Sequence, residues 1–183
     1  MVARKFKVHP RYIKSAVVSL SEETIEYRML LARTSKNPRI LRRLSHDEDI
    51  YVRQAVASNH NTPGDILVEL FSSYPAFAHD IASNTGAPED VLKQLAESTD
   101  PYTCYYVATN SSATPEVLEL LVDATDPYIR DGVLTNPNVT IDIAEQLIDD
   151  PEPFVRADAL NAIGRLDSNR KQEIVQERLN KVE

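Results

Sequence analysis

Five leucines constrain this chain more than any other feature: Leu44, Leu70, Leu95, Leu121 and Leu147 follow one another at 26, 25, 26 and 26 residues. Three residues upstream, Leu41, Leu67, Leu92, Leu118 and Ala144 keep the same intervals. Asn59, Asn84, Asn110 and Asn136 form a third column, and Pro75, Pro101, Pro127 and Pro153 a fourth, with Ile50 in the first repeat. Four columns in phase define an internal repeat. A unit this short cannot bury its apolar face alone, so the chain has to fold as a stack in which each repeat covers the next.

Each unit reads as two short helices. The first opens on Thr62-Pro63 or Thr114-Pro115, with Ala87-Pro88 and Thr140-Ile141 as variants. Threonine at the N-cap can accept a bond from an orphan N–H, and proline at the next position has no N–H to leave unpaired. Acids follow (Asp65, Glu89, Asp90, Glu116, Asp142), where the helix dipole favours them. An apolar stripe such as Val117, Leu118 and Leu121 then supplies one buried face. The second helix opens on Asp49, Asp100-Pro101, Asp126-Pro127 or Glu152-Pro153 and carries an aromatic column, Tyr51, Tyr102, Tyr128 and Phe154, broken by Ala76. Val56, Ile81, Val107, Val133 and Ala159 continue it inward, and the Asn column closes the unit, bonding to local turn backbone. Helices of about ten residues are marginal alone in water, which again requires stacking.

Three parts follow. Residues 1–27 form a basic N-terminal helical cap, with a helix expected over Arg11–Leu20. Residues 28–166 form five and a half repeats, and residues 167–183 a C-terminal capping helix. The chain's net charge of −8 is unevenly laid out: +8 over residues 1–43, −16 over 44–166 and zero over 167–183. Taken whole, −8 argues against a nucleic-acid binder; taken in blocks, it describes a basic head on an acidic body.

The unit Asn-Thr-Pro-x-x-Ile/Val-Leu-x-x-Leu, then Asp-Pro-Tyr-x-Arg, then Val-Ala-x-Asn, resembles the leucine-rich repeat variant. It reads from Asn61 to Leu70 and again from Pro115 to Asn136. The segments Asp126-Pro127-Tyr128-Ile129-Arg130 and Glu152-Pro153-Phe154-Val155-Arg156 are also similar to HEAT repeats. The resemblance implies an all-α fold: a right-handed α-solenoid of two-helix units, α alternating with 3-10, and no sheet. The N-terminal iron–sulfur domain of a founding member of that family does not carry over, because residues 1–43 contain no cysteine to ligate a cluster.

Chemistry-bearing motifs are sparse. The single cysteine, Cys104, excludes a disulfide framework and a four-cysteine zinc site. His9, His46, His60 and His79 have no ligand spacing, and the acid-rich stretches at His46–Asp49 and Asp149–Glu152 fall at one recurrent turn, where capping explains them. No metal or cofactor is expected. With four glycines and no nucleophile or phosphate-loop motif, an enzyme is not expected either. Arg53, Arg130 and Arg156 form a column that reads either as a row of groove guanidinium groups or as an inter-repeat ladder to turn acids.

The positions that refuse to repeat are Gln54-Ala55, His79-Asp80, Tyr105-Tyr106, Asp131-Gly132 and Ala157-Asp158. Variation beside invariant apolar columns marks an exposed face, and tyrosine suits contact surfaces. The expected function is a non-enzymatic scaffold that binds a protein or peptide partner through Gln54, His79, Tyr105, Tyr106, Arg130 and Asp131. The alternative is a nucleic-acid-associated protein using Arg4, Lys5, Lys7, Arg11, Lys14, Arg39, Arg42 and Arg43 to neutralise phosphates. The same head can dock on an anionic membrane surface, dock on another copy's acidic body in head-to-tail association, or serve only as a solvated cap. A third reading has the acidic body mimic nucleic acid before a basic protein. No apolar run reaches the ~18 residues of a membrane span. The expected compartment is the cytoplasm, with an organellar transit peptide as the alternative.

Overall fold

In the computed structural model, which describes residues 24–180, the repeats are realised as a double layer of short helices. The second-helix layer comprises α1 (Ile25–Thr34), α3 (Ile50–Ala57), α5 (Ala78–Ala82), α7 (Pro101–Thr109), α9 (Pro127–Thr135) and α11 (Pro153–Leu166). The first-helix layer comprises α2 (Pro38–Leu44), α4 (Gly64–Ser73), α6 (Glu89–Ala96), α8 (Pro115–Glu119) and α10 (Ile141–Gln146), and α12 (Ser168–Asn180) closes the end. Each second helix packs on its counterpart one unit away, α1 on α3 through to α9 on α11. There is no strand among the described residues. The expected α-solenoid is the architecture observed; the helix expected over Arg11–Leu20 lies outside the described residues.

The leucine columns do what their period requires. Leu41, Leu67, Leu92 and Leu118 are fully buried, as are Val56, Ile81, Val107 and Val133 from the other layer. One continuous core runs between the layers from Ala32 to Ile174. Burying one such side chain contributes about 1.5–3 kcal/mol, enough for the stack to hold helices that would melt alone.

Second helices start where the sequence puts them, and for the reason expected. The Asp49 carboxylate accepts from the N–H groups of Tyr51 (2.8 Å) and Val52 (3.3 Å). Asp100 accepts from Thr103 N–H at 3.0 Å and Asp126 from Tyr128 N–H at 2.9 Å. Bonds from the Thr103 hydroxyl and His79 first, with the Thr103 and Tyr102 N–H groups after them, hold the Asp100 carboxyl far below the usual carboxylate range. Glu152 occupies the same place but, one methylene longer, makes no side-chain cap. In the second unit Tyr74 stands where the aspartate would be. That start has no cap bond, the chain enters through a 3-10 turn at Pro75–Phe77, and α5 is only five residues long. Among the described residues this is where 3-10 winding occurs; the other helices are α.

The first helices depart from expectation. Thr62 is buried, and its hydroxyl donates back to the Val56 carbonyl at 2.6 Å instead of capping; α4 begins two residues later, at Gly64. Thr114 makes no cap bond to its helix. Thr140 does, accepting from Ile143 N–H at 3.3 Å. Thr62 thus ties back to the preceding helix, whereas Thr114 makes no such bond.

The Asn column holds more than its own turn. Each carboxamide oxygen accepts locally from the N–H two residues on, at 2.8–2.9 Å. Each amide nitrogen also reaches the preceding repeat and donates to two main-chain carbonyls there. Asn84 donates to Ala57 and Asn59 at 2.7 and 3.0 Å. Asn110 donates to Ala82 and Asn84 at 2.7 and 3.1 Å, and Asn136 to Ala108 and Asn110 at 2.7 and 2.9 Å. Asn59 starts the series on Ala32 and Ser35. One buried side chain thus satisfies the orphan carbonyls of one unit's second helix and fixes the turn of the next. In the last unit Arg165 takes over, donating to the Leu134 carbonyl at 2.7 Å.

At the C-terminal end α12 seals the core with Ile174 and is tied back to the last repeat through Arg170–Glu145 and Arg178–Asp149, both at 2.6 Å. No helix among the described residues is long and apolar enough to cross a membrane.

Candidate functional site

The non-repeating columns sit at the fifth and sixth positions of the second helices, three and four residues after the aromatic column. Residues at i, i+3 and i+4 share one helix face. Tyr102, Tyr105 and Tyr106 therefore project together from α7; on α9 Tyr128 and Asp131 share the corresponding face, and Gly132 is buried.

That face is strongly aromatic and open. Tyr51, Tyr102 and Tyr128 are 63%, 68% and 65% exposed, and Phe154 37%. The aromatic column, which the sequence shows only as a repeat signature, is thus not core at all. Its phase was the available signal, since it lies on the same helical face as the variable columns. Tyr105 and Tyr106 are also exposed, with ring centroids 6.1 Å apart. His79 from the preceding unit stands 5.7 Å from the Tyr106 ring and 6.3 Å from the Tyr102 ring, and its Nε2 meets Asp100 at 2.5 Å. Tyr128 and Phe154 are 5.6 Å apart. Rings from adjacent repeats meet across the repeat joints and still present solvent-facing area.

Gly132 lets the units approach closely at the centre of this face. A Cβ there would lie 3.1 Å from the Ala108 Cβ and 3.8 Å from the Tyr105 ring. Beside it, Asp131 is largely withdrawn from solvent, and its Oδ1 has no hydrogen-bond donor. Burial first, then the facing Asp158 carboxyl, raises its pKa above the usual aspartate value.

The remaining candidates are placed differently. Gln54 is half-buried and donates to Asp80 at 2.8 Å, which also accepts from Ser58 at 2.6 Å; both are committed to a joint between units. Arg130 does not belong to the exposed face: it is 8% exposed and bidentate to Asp150, at 2.6 and 2.8 Å. Its Nη1 also donates to the Ala124 carbonyl at 2.6 Å. The guanidinium turns instead to the following unit's turn acid, twenty residues on. Arg28 and Asp47 repeat this pair at 2.9 Å near the other end of the stack. Arg53 and Arg156 instead donate to main-chain carbonyls of their own preceding turn. The ladder reading of the arginine column thus holds at Arg130, with main-chain ties at the other two. Cys104 takes the arginine's place in its unit: its buried thiol lies 3.2 Å from the Ser98 carbonyl, and burial raises its pKa.

Of the basic head, Arg4, Lys5, Lys7, Arg11 and Lys14 lie outside the described residues. Arg39 and Arg43 are exposed, while Arg42 is paired with Asp65 of the next unit.

No protein-family model matches the chain, and no curated protein matches it. A solved structure described as a leucine-rich repeat variant with a novel repetitive protein structural motif does match, with 21% identity and a TM-score of 0.58. The likeness covers 84% of this chain and 61% of that one. The chain therefore has the α-solenoid fold of a leucine-rich repeat variant, as its residue columns imply.

Proposed function

We propose that this protein is a non-enzymatic repeat scaffold that docks a protein or peptide partner on the second-helix face around Tyr105 and Tyr106. The observation that carries the reading is the row of exposed aromatic side chains at one helical register, none of them used by the core. Tyrosine gives large contact area with little rotamer entropy to lose, and its hydroxyl remains satisfied when water is displaced. Neighbouring rings across the joints hold one another in place before a partner arrives.

The test is the double substitution Tyr105→Ala with Tyr106→Ala. Capture of the natural partner from the source cell should fall roughly tenfold or more, as for a central aromatic pair. Helical circular dichroism should be unchanged, because both rings lie outside the core. Undiminished capture by a folded variant would count against this face.

A further inference from the structure

The face is aromatic, and it is also acidic without a compensating cation. Between residues 44 and 166 the chain has five Lys and Arg residues, and each is engaged inside the protein. Arg53, Arg130, Arg156 and Arg165 donate to main-chain carbonyls, and Lys93 pairs with Glu89 on the other layer. On the second-helix face Asp131 and Asp158 meet carboxyl to carboxyl, with one oxygen lacking a donor. They lie on the same helix faces as Tyr128 and Phe154, so a cation seated there would meet carboxylates and ring faces together.

Resting on the docking surface proposed above, we infer that its occupant is an extended, cationic segment of a protein partner, with arginine side chains about three residues apart. Three arguments lead to this chemistry. Asp131 and Asp158 repel each other as neighbours, and a guanidinium between them replaces that repulsion with charge-assisted hydrogen bonds. The exposed rings add cation–π attraction; the protein already makes this contact internally, with the Arg53 guanidinium carbon 4.5 Å from the Tyr74 ring centroid. Arginine fits better than lysine because its planar fork can stack on a ring while bonding a carboxylate in two places. The spacing follows from the stack: packed helices lie about 8–10 Å apart, and three residues of polyproline-II chain rise about 9 Å. A cation at every third residue therefore comes level with successive repeats, and one seated at Asp131 and Asp158 places the next beside the exposed Tyr105 and Tyr106 rings.

The experiment uses the full chain and a fluorescein-labelled peptide of four Arg-Pro-Ser units, with glutamate-for-arginine and serine-for-arginine versions as comparators. Anisotropy is read at low ionic strength and at about 0.15 M salt. The arginine peptide should bind, the glutamate version should not, and salt should weaken the complex. Asp131→Asn with Asp158→Asn should reduce affinity roughly tenfold. Glu116→Gln with Asp142→Asn, the same charge change on the first-helix layer, should leave it unchanged.

Equal loss in both acid variants would overturn the proposal, because the attraction would then be diffuse. Equal binding of the serine peptide would overturn the cationic specificity while leaving the docking face in place. Absence of any peptide binding, with capture of the natural partner still lost in the Tyr105→Ala/Tyr106→Ala variant, would do the same. If no peptide binds and that variant captures normally, the face itself is wrong. Binding that emerges only after removal of residues 1–23 would give the seat to the chain's own basic head and overturn assignment to a partner.

Discussion

Replacing Asn110 by alanine probes the feature that makes these repeats one structure. Its amide nitrogen donates to the Ala82 and Asn84 carbonyls at 2.7 and 3.1 Å, and its oxygen accepts from Ser112 N–H at 2.8 Å. The Asn84 carbonyl keeps the N–H of Ala87 at 3.0 Å, so its loss is partial. Ala82, the last residue of α5, loses the donor that satisfied it inside the stack. A buried carbonyl stripped of its donor costs about 1–3 kcal/mol and each other bond about 1 kcal/mol, so Asn110→Ala should destabilise by about 3 kcal/mol. Urea unfolding followed at 222 nm measures this, and the slope should fall if the halves of the stack begin to unfold separately.

A companion substitution separates donor loss from cavity formation. Asn110→Asp keeps the oxygen facing Ser112 but aims a second oxygen at two carbonyls. At neutral pH it should cost more than alanine, because one oxygen of a buried carboxylate then faces two carbonyl acceptors and no donor. Its folded-state pKa is raised, so the native state holds the proton more tightly than the unfolded chain. The cost relative to wild type should therefore be smallest at low pH and grow as pH rises through that window. An alanine cost below about 0.5 kcal/mol, or an aspartate milder than alanine at pH 7, would refute the ladder account.

Three further outcomes are expected. Asp150→Asn leaves the buried Arg130 charge without its carboxylate and should cost about 3–5 kcal/mol in urea unfolding, the range for breaking a buried pair. The Asp150 carboxyl is held below its usual range, chiefly by Arg130, so this contribution is present above the unfolded-state aspartate pKa and lost as pH falls through the lower native value. At Asp131 the shift is opposite, burial and Asp158 raising its pKa; its contribution should fall as pH rises from the unfolded to the native value, so Asp131→Asn should gain stability relative to wild type across that window in a pH series of thermal melts.

Much of this architecture could be read from spacing. A period of 25–26 residues with two apolar columns requires stacking whatever the details. Asp49, Asp100 and Asp126 announce helix starts because a cap acts over two or three residues, within reach of local sequence. The candidate surface was half legible. Tyr105 and Tyr106 stand out because they break a column, whereas Tyr51, Tyr102 and Tyr128 repeat and so look structural. Only accessibility separates a repeated core residue from a repeated surface residue. Arg130 failed for the converse reason: a charged residue in a varied neighbourhood reads as exposed until Asp150, twenty residues on, is placed against it.

By itself, then, the sequence determined the repeat, its two-helix grammar and the segregation of charge into a basic head and an acidic body. All of these follow from residue type at short separations. The tertiary structure alone decided that the Asn column crosses from unit to unit, that the arginines turn inward, and that the aromatic column faces solvent. Each depends on which groups from different repeats come within about 3 Å, a distance set by how the units stack.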